Sequence, residues 1–206
     1  MQAITDLVMY FHKGGLVMWP LLACSITVIA IAIERFIYYR AADSGSSFAA
    51  SYCATVRGKS IEEATALAQK ASGSCAQMLA SAGAMQATKA QKEAYLESQA
   101  GIFMATLRNK LDYLSIIVTM SPLLGLLGTI VGMIGAFSIF NLEAGAPIAI
   151  TGGIGEALIA TATGLCVAIL SLCAHSYFAH RLDNMVTDLE QCFSALLEAE
   201  TRREML

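Results

Sequence analysis

Apolar positions along the chain fall into three blocks separated by polar, alanine-rich sequence. The first, Leu16 to Ile33 (LVMWPLLACSITVIAIAI), is closed by Glu34 and Arg35. The second runs from Leu114 to Phe140 without a charge and is rich in glycine. The third runs from Ile148 to Phe178, with Glu156 as its only acidic group and no lysine or arginine until Arg181. A helix rises about 1.5 Å per residue, so roughly 20 residues cross a hydrocarbon core of about 30 Å. The first block just spans such a core, and the other two are long enough to project beyond it.

The polar sequence is patterned too. Leu96, Phe103, Leu107, Leu111 and Leu114 step by seven, four, four and three, predicting an amphipathic helix from about Thr88 that runs unbroken into the second span. Leu182, Met185, Leu189, Phe193 and Leu196 form a similar stripe in the tail. Residues 41–100 read as two or three short helices, one of them over Ile61 to Lys70. Ile4, Leu7, Val8 and Phe11 predict a short amphipathic helix lying at a membrane interface. No strand alternation and no internal repeat is present. The fold class expected is all-α: an integral membrane protein with three transmembrane helices, the second and third extended into a cytoplasmic helical bundle.

Composition agrees, since 56% of the 206 residues are hydrophobic and only 14% charged, against about a quarter charged in soluble domains. Lysine and arginine supply the orientation: nine lie between the first two spans, three in the tail, none between the second and third spans. By the positive-inside rule the central loop and tail face the cytoplasm. The expected divisions are an outer N-terminal segment 1–15, spans 16–34, 114–140 and 148–179, a cytoplasmic helical domain 35–113, an outer loop 141–147 and a cytoplasmic tail 180–206. No cleaved leader is expected, because residues 1–15 lack a basic region and no small-residue cleavage site follows the first block. The six cysteines fall in spans or on the cytoplasmic side, so no disulfide framework or metal site is expected. No nucleotide-binding, hydrolase or metalloprotease motif and no basic–aromatic nucleic-acid cluster is present, so neither an enzyme nor a cofactor is expected.

The spans carry small and polar residues at helical spacing. Gly125, Thr129, Gly132 and Ala136 share a face of the second; Ala157, Thr161, Gly164, Ala168 and Ser171 share a face of the third. Small residues let helices approach closely, but two faces each bearing a mid-depth threonine also suit water or another helix. An intramembrane carboxylate costs on the order of 2.5–3.5 kcal/mol and usually faces a bundle interior or an aqueous path. The residues alone leave Glu156 open between an ion path, a partner contact and a structural acid in the first turns of its helix.

GLLGTIVG (125–132) followed by GIGEALIATATGL (153–165) resembles the second and third spans of the ExbB/TolQ/MotA proton-channel family, and GGLVMWPLL…ERF (14–36) resembles the first span of its ExbB-type members. The resemblance implies a homo-oligomeric ring in the inner membrane, a pentamer in ExbB-type motors, around a dimer of single-span ExbD/TolR-type partners that bring the membrane aspartate this chain lacks. Protons are the implied coupling ion, with sodium left open, and TonB or TolA the implied recipient of the work. Carried over residue by residue, the pore threonines fall on Thr129 and Thr161 and the acidic residue on Glu156, with Thr161 ahead of Glu156 as the ion-path residue. Pro122 matches the proline before the motif; Gly125, Gly132, Ala157, Gly164 and Ala168 form the partner-helix or packing face. Thr163 stands where many members have an apolar residue. The alternatives are a TolQ-like subunit, a self-sufficient channel, and a structural scaffold.

Overall fold

In a computed structural model, Phe11 and residues 14–58, 60–142 and 147–205 are described, with the side chains of 139–150 outside the description. Seven helices follow one another among them: α1 (Met18–Ala42), α2 (Ser46–Gly58), α3 (Ile61–Lys70), α4 (Ser74–Ala84), α5 (Lys89–Arg108), α6 (Leu111–Leu142) and α7 (Pro147–Glu204). No strand occurs among the described residues, and three helical stretches are long and apolar enough to cross a membrane. The chain forms two compact units: Met1–Ile33 with Asp112–Ser176, and Glu34–Leu111 with Tyr177–Leu206. The interfacial helix expected before Phe11 lies outside the described residues, as do residues 143–146 of the expected loop; Asn141, Leu142 and Pro147 belong to helices.

The first unit is built from three helical stretches whose interior is narrow. On the part of α1 in this unit the buried residues are Met18, Leu21, Cys24, Val28 and Ile31, stepping by three, three, four and three along one stripe. On α6 and α7 the buried residues are mostly small: Ala136, Ala157, Ala160 and Ala168 with Ser121 and Ser171. The large residues point the other way. Leu123, Ile134 and Leu158 are each 64% exposed, and Ile26, Ile130 and Ile169 are more than half exposed. Such continuous apolar surface is stable against lipid and unstable against water.

The second unit has a water-type pattern, apolar within and charged outside. Tyr39, Tyr52, Leu79, Leu96, Leu107, Phe178, Leu189 and Leu196 fill its core. Two of its helices start at side-chain caps. Ser60 accepts from the Glu63 amide (3.2 Å) at α3, and Thr88 and Gln91 form a reciprocal capping box at α5. In the tail stripe Cys192, 0% exposed, takes the buried place expected for Phe193, which is half-buried, and Ala195 joins the buried set. Cys53 and Cys192 thiols stand 3.9 Å apart, and burial pushes Cys53 up to about 11, so these are protonated packing groups at neutral pH.

The expected continuous helix from Thr88 into the second span is interrupted. Asn109 and Lys110 form a turn between α5 and α6, although Asn109 keeps right-handed helical angles (φ −45°, ψ −39°). The interruption leaves late carbonyls of α5 without helical donors, and α1 supplies them: Arg35 donates to Thr106 O (3.1 Å) and Tyr39 to Leu107 O (3.2 Å). Burial pushes the Tyr39 phenol up to about 12, which keeps it a donor. Heptad-like apolar spacing carries no signal for such a break.

Lys92 on α5 and Glu200 on α7 pair in the core, their side chains only 7% and 10% exposed. Deleting one partner of a buried pair strands a charge, whereas removing both can be near neutral. Lys92→Met is expected to destabilise the protein by about 3–5 kcal/mol, and Lys92→Met with Glu200→Leu to recover most of that. Thermal unfolding in detergent checks both.

Candidate functional site

Pro122 lies inside α6, where it removes one helical donor. Beyond it α6 has glycine at 125, 128 and 132, and each meets α7. An added methyl group on Gly125 would stand 3.0 Å from Thr161 Cα and 3.2 Å from Ala160 O. On Gly132 it would stand 3.0 Å from Gly153 O and 3.2 Å from Ala157 Cβ. On Gly164 it would stand 2.6 Å from Ser121 O and 3.1 Å from Gly125 Cα. The two helices therefore touch backbone to backbone, as small-residue faces permit in lipid. At these glycines the two faces fill each other within one chain, while Thr129 and Thr161 on the same faces stay half-exposed.

The hydroxyls are distributed unevenly by this packing. Thr161 Oγ1 crosses to Gly125 O (3.0 Å), and Ser171 Oγ crosses to Leu114 O (2.9 Å). Thr129 Oγ1 turns back to Leu126 O on its own helix (2.6 Å) and stays part-exposed, its oxygen still able to accept. Thr163 likewise bonds Ile159 O (2.8 Å). Glu156 is half-buried near the start of α7, with its carboxylate against Gly15 just before α1. Thus Thr161, Gly125, Gly164, Gly132 and Ala157 are brought together, and Ala168 is buried on the same helix. No hydrogen bond joins Thr129 to Thr161 or either to Glu156 among the described residues. No group of three or more His, Cys, Asp or Glu capable of holding a metal occurs among them either.

Two residues at this site carried no separate sequence reading. Ser121 is fully buried beside Gly164, and its hydroxyl has no hydrogen-bond partner among the described residues. Its spacing of four before Gly125 was the available signal. Gly15 had only a Gly-Gly pair to mark it, which reads as a helix breaker.

The sequence model of the MotA/TolQ/ExbB proton channel family matches residues 60–191. The chain belongs to this family. The matched stretch holds Thr129, Glu156 and Thr161, and the buried contact between α6 and α7 sits within it. A biopolymer transport protein of Synechocystis named ExbB-like 3 is 34% identical over 77% of this chain and 78% of its own length. A biopolymer transport protein of the ExbB kind from Vibrio cholerae is 26% identical over 85% of this chain and 80% of its own. The Tol-Pal system protein TolQ of Haemophilus influenzae is 34% identical, over 47% of this chain and 41% of its own.

Glycines at and away from the contact give opposite expectations. Gly164→Ala forces a methyl against Ser121 O and is expected to cost about 1–3 kcal/mol by overpacking. Gly101→Ala in α5 meets nothing within 4 Å and is expected to stabilise by up to about 1 kcal/mol through helix propensity. Paired melting curves of the detergent-solubilised variants test the sign of each.

Proposed function

We propose that the chain is the ring subunit of an ion-driven motor of the ExbB type, embedded in the bacterial inner membrane with its N-terminus periplasmic and its C-terminus cytoplasmic. In this reading the ring is a homo-oligomer, a pentamer, enclosing a dimer of single-span ExbD-like partners. Protons moving down their gradient pass between ring and partner, and the resulting motion energises TonB-dependent transport across the outer membrane. The observation that carries it is the division of labour among the hydroxyls. Thr161 is tied into the contact between α6 and α7, Thr129 remains part-exposed, and the third span's glutamate stands near one end of α7. A path lined by hydroxyls can relay a proton but needs a titrating carrier in line, and a partner's membrane aspartate would supply it. Glu156 then tunes proton entry at the mouth, while Thr129 faces the carrier.

The relatives reported above that align along three quarters or more of both chains are of the ExbB kind, which supports the ExbB-type reading over the TolQ-like one. The ExbB-like relative aligns across about three quarters of both chains, and the TolQ relative across less than half of either. Sodium in place of protons is the variant that the same hydroxyl line would also serve.

Ring and partner reconstituted in vesicles, with an internal pH dye, give the direct readout. Thr129→Ala is expected to abolish proton uptake with ring assembly and melting temperature unchanged, since its hydroxyl bonds only its own helix. Thr161→Ala is expected to lose uptake and also about 1 kcal/mol of stability, since it deletes a cross-helix hydrogen bond. Serine at either position should restore uptake. Normal uptake in both alanine variants would sink the ion-path assignment.

A further inference from the structure

Gly15 adopts φ +70°, in the left-handed region that glycine enters freely and side-chain-bearing residues rarely do. Its carbonyl accepts from the Met18 amide (3.2 Å), and Leu16 O accepts from Trp19 (3.3 Å), so the residue opens the first turn of α1. That turn is firmly seated in the first unit. Val17, Met18 and Leu21 are buried, with Phe11 and Leu124 packed against them. Val17 Cβ would lie 3.7 Å from a methyl group on Gly128, and Phe11 meets the Trp19 ring edge-on at 5.1 Å. The turn is therefore fixed against α6, and it is this fixed turn that faces Glu156.

A methyl group on Gly15 would collide with Glu156 Oε1 and stand 3.0 Å from its Cδ and 3.5 Å from its Cγ. The whole carboxylate end of the side chain thus lies over the bare Cα. The first turn of a helix carries partial positive charge, which suits a carboxylate there. The backbone angle favours glycine at this position, and the space a side chain would need is held by the flexible carboxylate end of Glu156, which would have to move.

We propose that Gly15 is a positioning residue for Glu156: its missing side chain sets where the carboxylate stands, and so how it meets the ion entering the path. The inference rests on the reading of Glu156 as part of that path. Any side chain at position 15 displaces the carboxylate, and shortening Glu156 by one methylene makes room again.

The test is a double-mutant cycle on the reconstituted ring and partner, read as proton uptake. Gly15→Ala is expected to slow uptake on the order of tenfold, as misplacing a reacting group does. Glu156→Asp alone draws the carboxylate back by one methylene and is expected to be slow; in that background Gly15→Ala should slow uptake by much less than tenfold, because the collision is relieved. Backbone strain is the same in both backgrounds and cannot give that rescue, so a Gly15→Ala effect undiminished in the Glu156→Asp background overturns the proposal. Gly15→Asn, which tolerates the left-handed backbone, separates collision from strain and should also be slow; wild-type uptake in it overturns the proposal as well. If Glu156→Gln runs at the wild-type rate, the assignment of Glu156 to the path fails, and the positioning role falls with it. If Glu156→Gln is slow and the cycle shows no rescue, only the role of Gly15 fails.

Discussion

The first unit depends on one contact, the approach of α6 to α7 through glycine. Apolar residues gain nothing by leaving lipid for a lipid-like interior, so van der Waals contact and hydrogen bonds between backbones must hold the helices together. Gly125, Gly132 and Gly164 remove the side chains that would keep the helices apart, and Thr161 spends its hydroxyl on the carbonyl thereby exposed. The same approach decides the fate of the other polar groups. It buries Ser121 and Ser171, leaves Thr129 part-exposed, and puts Glu156 at the end where α1 begins. The large aliphatic residues are then left on the outside, where lipid is the solvent that tolerates them.

The second unit obeys different physics because its surface is polar. Two of its helices, α3 and α5, begin at side-chain caps, its core holds large residues, and Lys92 and Glu200 pair within it. Arg35 illustrates how the residues beyond the first apolar block are used. It is 5% exposed, donates to Thr106 O and to Glu34, and lies 4.8 Å from the centre of the Tyr38 ring. A fully charged group can remain buried there because it has a carbonyl, a carboxylate and an aromatic face as partners.

Much of the fold was legible in the chain because membrane helices announce themselves by length and by the absence of charge. The helix over Ile61 to Lys70 stands where the sequence reading put it, and the Ser60 cap on the Glu63 amide fixes its start. The turn at Asn109 and Lys110 was not, since periodicity records which face is apolar and not where a hydrogen-bond ladder stops. The family motif brought Thr129, Thr161 and Glu156 to notice by residue type. It carried no information on which hydroxyl crosses to the other helix, because that depends on the rotation of α6 against α7. Gly15 was illegible for a related reason: its neighbour Glu156 is distant in sequence, and only the folded chain brings them together.

The central claim is that this chain lines a proton path but does not complete one, the carrier coming from a single-span partner. Proton flux into vesicles under an imposed membrane potential, compared for the ring alone and the ring with its partner, tests it most directly. The account predicts flux only when the partner is present and its membrane aspartate intact. Equal flux through the ring alone would contradict it.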